Sequence, residues 1–291
     1  PRVGAGSPVN PLAGLANVGV SGPPSGGVAG PSVAVFNRVT YSFSTAVPMA
    51  QEAGRYKYFV LQATDARMVP MLRALNPSAK FFVYQDPKLS RVSDYQGLTV
   101  CSVYSQIATA HPDWFVRNAA GAMISPPGAG YAGNYIMDVG NPAYQQYCLA
   151  HSIALAKQDG FDGVFFDDFS AVLNWTFPPG AATTTPQYTT DAAWQAAMYS
   201  MISYIGSQMH ANGLLAVGNI GGAYFTPGLW AKWNGPLDGA EEENWAGAGS
   251  TAQQLWYWPA KLAEAQWSAA NGKIALLHSY SPTQAGNRFD M

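Results

Sequence analysis

Seven short apolar runs, most of them ending on polar or charged residues, set the tightest limit on what this chain can fold into. They are "VAVFNRVTYSF" (33–43), "KYFVLQ" (57–62), "AKFFVYQD" (79–86), "DGVFFDD" (162–168), "LLAVGN" (214–219), "DGAEEEN" (238–244) and "KIALLHSY" (273–280). Several are apolar on both faces, as strands of a parallel sheet covered by helices must be. Between them lie stretches of helical character. In "NPAYQQYCLAHSIALAKQDG", Asn141 is placed as the N-cap, Pro142 at the first helical position and Gly160 beyond the end, while Tyr144, Tyr147, Cys148 and Leu155 recur at helical spacing. In "DAAWQAAMYSMISYIGSQMHANG", Asp191 is the expected cap, Trp194, Met198, Met201, Ile202 and Ile205 share a face, and Gly213 is the stop.

Strand then helix, repeated, predicts an α/β fold with a parallel sheet, and seven such strands favour a (β/α)8 TIM-type barrel over a doubly wound sheet. No eighth strand is visible before Met291. The barrel is therefore expected to be incomplete at its C-terminal end, unless the natural chain continues or the N-terminal arm supplies a replacement. Residues 1–32, rich in Gly, Pro and Ser and without apolar period, read as a linker or extended arm, which places the barrel domain at 33–291. The longest insertion, roughly residues 87–161, is expected to wall the site, because long inserts at strand C-termini usually do.

Composition narrows the partners. Charged residues are only 11% of the chain and the net charge is −2, so there is no basic stripe for nucleic acid or an acidic membrane. Neutral ligands fit better. No run approaches the ~18 apolar residues of a membrane-spanning helix. A start at Pro1 suggests a processed or trimmed piece, with further domains of a longer chain as possible neighbours. Cys101 and Cys148 are either bridged or two buried thiols, and the sequence leaves both open. The low charge and the Gly, Ser, Thr and Asn content lean towards an extracellular setting. The four histidines and two cysteines lack zinc-ligand spacing, and no cofactor is expected.

In a barrel, residues at the strand C-termini converge on one mouth whatever their separation in sequence. Here they are Tyr41, Gln62, Asp86, Asp167 with Asp168, Asn219, Glu241 to Glu243, and His278 with Tyr280. Nearly every strand ends in a hydrogen-bonding group, as a sugar site requires. "DGVFFDD" and "DGAEEEN" also share a frame, Asp-Gly followed by an acid five positions after the Asp, which makes Asp167 and Glu243 counterparts. Alternation sets Asp167 with Phe165 on one face and Asp168 on the other, and groups Glu241 with Glu243. Only five glutamates exist in the chain, and three are consecutive here beside Trp245. The plainer alternatives are a helix cap or Asx turn for the Asp pair and a solvated face for the glutamates. Asp138 could cap the helix at Pro142, but Asn141 fills that role and leaves Asp138 for the site.

Two carboxylates across a mouth suit glycosidic cleavage: one protonates the departing oxygen while the other attacks the anomeric carbon or activates water. Trp175, Tyr224, Trp245 and Tyr280 are candidates to stack on sugar faces. Two rival readings are a barrel that binds carbohydrate or builds an extracellular assembly without catalysis, and a hard-cation site made by the carboxylates.

Over residues 35–280 the chain resembles TIM-barrel glycoside hydrolases related to the endo-α-1,4-polygalactosaminidase group. The resemblance rests on "LNPSAKFFVYQD", "HPDWFVRNAAG", "MDVGNPAYQQY" running into "GFDGVFFDD", and "GLLAVGN" followed by "LDGAEEENW". It implies that the acid ending the fourth strand and the Glu ending the sixth are the reacting pair, Asp167 as nucleophile or base and Glu243 as general acid, with Glu241 a rival to Glu243. The remaining site candidates, expected to bind the sugar, are Tyr41, Gln62, Asp86, Asp138, Asp168, Asn219, Glu241, Trp245, His278 and Tyr280.

Overall fold

A computed structural model describes residues 33–36, 53–54, 56–126, 131–177, 180, 183–245 and 251–278, with the backbone alone at 33–36 and 251–256. The arm over 1–32, Tyr41 and Tyr280 lie outside the described residues. The strands are β1 (Val33–Phe36), β2 (Tyr56–Leu61), β3 (Lys80–Arg91), β4 (Val100–Val103), β5 (Asn134–Ile136), β6 (Gly163–Ser170), β7 (Leu215–Gly221), β8 (Gly239–Glu242) and β9 (Ile274–Leu277). The longer helices are α1 (Met68–Leu75), α2 (Pro142–Gln158), α3 (Asp191–Ala211), α4 (Leu229–Asn234) and α5 (Thr251–Ala270).

The sheet runs β1-β2-β3-β6-β7-β8-β9, and every pair along that path is parallel. All seven strands read from the sequence are present. The fold is an α/β TIM-type barrel, and among the described residues no pairing joins β9 to β1. Two layers of core follow from strand alternation. Val60, Phe82, Tyr84, Phe165, Val217 and Leu276 pack together on one side of the curled sheet. On the other side, Phe59, Phe81, Val83, Val164, Phe166 and Ala216 join the helices, where Trp194, Met198, Met201, Ile202 and Ile205 of α3 are all fully buried. The predicted helical face is the one that docks.

The repeated Asp-Gly frame has a structural cause. Asp162 accepts from the Phe81 amide through Oδ2 (2.9 Å) and donates its own amide to the Phe81 carbonyl (2.8 Å). Asp238 does the same to Ala216, 2.8 Å in each direction. Each Asp thus locks the start of its strand to the preceding strand. At the next position a Cβ on Gly163 would sit 2.2 Å from the Leu215 carbonyl oxygen, and one on Gly239 2.3 Å from that of Ile274, so only glycine permits this approach. Two strands pinned alike at the base carry their fifth residues, Asp167 and Glu243, to the same end of the sheet.

Two details differ from the sequence reading. The cap of α3 is Thr190, whose side chain accepts from the Ala193 amide at 3.2 Å; Asp191 sits in the first turn and accepts from the Leu173 amide at 2.7 Å. Asn141 caps α2 as expected, taking the amides of Ala143 and Tyr144. Secondly, β3 continues past Asp86 to Arg91, and this overhang pairs with β4 in parallel and with β5 in antiparallel fashion. The insertion is built on that extension. A disulfide between Cys101 and Cys148 joins β4 to α2.

Candidate active site

The C-terminal end of the sheet is where the inner-face stripes of successive strands become polar. Val60 is followed by Gln62, Phe82 and Tyr84 by Asp86, Phe165 by Asp167, Val217 by Asn219, and Leu276 by His278. On β8 the same face carries Glu241, and Glu243 follows just past the end of the strand. Alternation with period two accounts for each placement.

Asn219 is the centre of the arrangement. Its Nδ2 donates to Asp167 Oδ1 at 2.9 Å and to Glu243 Oε2 at 2.8 Å. Asp167 also accepts from the Tyr84 hydroxyl through Oδ2 and from the Asp168 amide at 2.9 Å. Donors reaching both oxygens suit an ionised, acceptor-only carboxylate. Asp167 is buried, whereas Glu243, one residue past the end of β8, is half-buried.

Asp168 behaves differently because the β6/β7 register breaks between Phe166 and Phe169. Within this bulge Asp168 has φ 65°, the one positive value for a non-glycine among the described residues. Such a conformation costs a residue of this kind about 1 kcal/mol or more and persists only where neighbours enforce it. Lys88 supplies that hold through an ion pair with Asp168 Oδ2. Burial works against a charged Lys88, but Asp168 and Asp86 outweigh it and keep the ammonium above its usual range.

Two further acids on the inner face are shifted towards neutrality. Burial, then repulsion from Asp168 and Asp167, pushes Asp86 up to about 7 against the pull of Arg91 and Lys88. Burial pushes Glu241 up to about 7, opposed by His278 and reinforced by Asp167 and Glu243. His278 Nδ1 lies 2.9 Å from Glu241 Oε1. Glu242 pairs with Lys261 at 3.0 Å and borders the smaller of the two depressions at this site.

Two depressions meet at the acids. One, of about 360 Å³, is lined by Gln62, Tyr84, Asp86, Arg91, Tyr131 and others; the second, of about 140 Å³, by Lys88, Trp175, Asn219, Tyr224, Asn244 and neighbours. Asp168 and Glu243 border both. Trp175 is half exposed, and its ring lies over Gly222, where φ is +77° and a Cβ would approach the indole to 3.0 Å.

The structure therefore brings together Gln62, Asp86, Asp167, Asp168, Asn219, Glu241, Glu243 and His278. Asp138 has other partners: it accepts from the Tyr188 hydroxyl and from Gln187 Nε2 at 3.2 Å, and it is not among the residues lining either depression. Trp245 packs against Trp258, with ring centroids 4.9 Å apart. Tyr84, Lys88, Arg91 and Lys261, which the sequence reading did not single out, pair with Asp167, Asp168, Asp86 and Glu242 respectively. Tyr84 was within reach of that reading, being two positions before Asp86 on the same face. Among the described residues no three acidic, histidine or cysteine side chains converge as metal ligands.

A curled parallel sheet whose C-terminal mouth carries clustered acids over an open cleft is the plan of a TIM-barrel glycoside hydrolase, and comparison with known proteins agrees. Residues 73–290 match the model of hypothetical glycosyl hydrolase family 15, and the chain belongs to that family. No curated protein matches the chain. Among solved structures it is similar to the glycoside hydrolase domain of PelA from Pseudomonas aeruginosa, at 16% identity and TM-score 0.54 over 89% of this chain and 88% of that one. It is also similar to Aspergillus fumigatus Ega3 in complex with galactosamine, at 12% and 0.54 over 88% and 84%. A third is a Paenibacillus cycloisomaltooligosaccharide glucanotransferase, at 13% and 0.58 over 86% of this chain but 38% of that one. At these identities the likeness is one of fold. Family and fold make the protein a glycoside hydrolase.

Proposed function

We propose that the protein hydrolyses glycosidic bonds within a polysaccharide through two carboxylates, Asp167 as nucleophile and Glu243 as general acid and base. The observation that carries this reading is the single Asn219 nitrogen bonded to both acids. The two oxygens it holds are no further apart than those two bond lengths together, so both acids reach one point at the mouth. The route proposed is the retaining one, with Asp167 as nucleophile.

In that route Glu243 gives its proton to the glycosidic oxygen as the bond to the anomeric carbon breaks, and Asp167 forms a glycosyl ester with that carbon. Glu243, now ionised, takes a proton from water, whose oxygen displaces Asp167 and leaves a sugar with a new reducing end. No step draws on a metal ion. Tyr84 and Asn219 hold Asp167 in its attacking position. Gln62, Asp86, Asp168 and Arg91 line the cleft on one side of the pair, and Trp175 and Tyr224 on the other. A cleft that continues on both sides of the reacting pair suits cleavage inside a chain.

Carbohydrate is the proposed partner, and the proposed location is outside the cytosol, supported by the Cys101–Cys148 disulfide. No helix among the described residues is long and apolar enough to cross a membrane. The test is a screen of microbial and algal polysaccharides for new reducing ends, with Asp167→Asn as control.

A further inference from the structure

Glu243 lies one residue beyond β8, between Glu242, whose carbonyl accepts from the His278 amide, and Trp245, whose amide donates to the His278 carbonyl; these bonds flank Glu243, and its carboxyl is held by Asn219. The backbone beside it is tied to a single buried cation on α5. Lys261, whose side chain is 3% exposed, sits 3.0 Å from Glu242 Oε1 and also donates to the carbonyl oxygen of Asn244. Glu242 Oε1 in turn accepts from the Asn244 amide at 3.3 Å. The residues immediately before and after Glu243 are thus joined through one ammonium group.

The surroundings fit this duty. The Tyr224 ring faces the ammonium at 4.7 Å, an attractive arrangement for a cation. Burial and the charge of Glu242 push the nearby Glu264 up to about 9, so near neutral pH it is uncharged and does not compete with Glu242 for the lysine. A buried ion pair adds little to stability compared with an apolar pair of similar size. What an apolar pair cannot do is bind the Asn244 carbonyl.

We propose that Lys261 is a positioning residue, fixing the turn from Glu242 to Asn244 and thereby aiming the Glu243 carboxyl at the linkage held against Asp167. The proposal rests on Glu243 being the general acid and base, and its test has one arm independent of that reading.

Two variants are compared with the unaltered protein: Lys261→Met, and the double variant Lys261→Met with Glu242→Leu, which leaves no unpaired buried charge and so keeps the fold. The substrate-free arm is hydrogen exchange at the Trp245 amide, whose acceptor, the His278 carbonyl at 2.9 Å, neither substitution touches. Exchange about tenfold faster in both variants is expected. The kinetic arm uses any polysaccharide from which the unaltered protein releases reducing ends. There kcat should fall by about 10²-fold with KM within about twofold, because a misaimed acid costs rate rather than binding. Thermal stability near that of the parent in the double variant, with kcat still low, separates aim from stability. Unchanged exchange at Trp245, or full kcat in the double variant, would overturn the proposal. Failure to cleave any polysaccharide would count against hydrolysis by Asp167 and Glu243, while the exchange result still decides the role of Lys261.

Discussion

Asp167 and Glu243 accept hydrogen bonds from the same nitrogen, Nδ2 of Asn219, at 2.9 and 2.8 Å. They come from β6 and from just past β8, on either side of β7, and the Asp-Gly frame at the base of each outer strand brings them to one level. One amide therefore sets the spacing of the two acids on which the proposed chemistry depends.

The first prediction separates the consecutive glutamates. Glu241 is fully buried and bonded to His278, whereas Glu243 borders both depressions. Glu243→Gln should lower kcat by about 10²- to 10⁴-fold, as loss of a general acid does. Glu241→Gln, which keeps an acceptor for His278, should stay within about tenfold of the parent, a smaller loss than that of an acid-base group. Reducing-end assays on both variants check this, and the opposite ranking would exchange the two roles.

A second prediction concerns pH. Burial pushes Glu241 from 4.5 up to about 7, so the folded state favours its neutral form. The contribution is fully present below about pH 4.5 and is lost as pH rises through about 7, where ionisation of the buried carboxyl costs up to about 3 kcal/mol. Glu241→Gln, which cannot ionise, should therefore gain stability relative to the parent as pH rises from 5 to 8. Denaturant unfolding at several pH values measures the difference, and a constant difference would show that Glu241 is ionised throughout.

How much of this was open to sequence reading depends on the range of the interaction. The seven parallel strands were legible because each is a local apolar run, and Asp167, Asn219 and Glu243 because period-two alternation carries each inner face outwards to a polar end. β4 and β5 were not legible. Both exist by pairing with the part of β3 beyond Asp86, where Pro87 and Lys88 interrupt the apolar pattern. Asp168 defied alternation because the bulge gives it a left-handed backbone, and Lys261 was hidden because its partners lie on another element. Asp138, a candidate for the sugar site, has Tyr188 and Gln187 as partners, a contact between distant segments that no local pattern announces.

The third prediction tests the disulfide. Cys101 and Cys148 close a loop with a sequence separation of 47, for which chain-entropy arguments give a stabilisation of ~4 kcal/mol. Replacing both with Ser should lower stability by an amount of that order in oxidising buffer and abolish the effect of added dithiothreitol. Equal stability of parent and variant without reductant would show that the bond adds nothing.

The fourth concerns the aromatic side of the cleft. Trp175 borders the depression with Glu243 and is half exposed, and under the proposed function it stacks on the sugar in ground and transition states alike. Trp175→Ala should raise KM by about tenfold, the loss of ~1.4 kcal/mol of stacking, with kcat little changed. A fall in kcat at constant KM would instead place Trp175 in the chemistry.

The most direct measurement is the release of reducing ends from a polysaccharide cleaved by the parent protein, repeated with Asp167→Asn. That substitution keeps the size of the side chain and removes the nucleophilic carboxylate, so turnover should disappear while the circular dichroism spectrum is retained. Turnover near that of the parent in the folded variant would contradict the assignment of Asp167, and with it the two-carboxylate account.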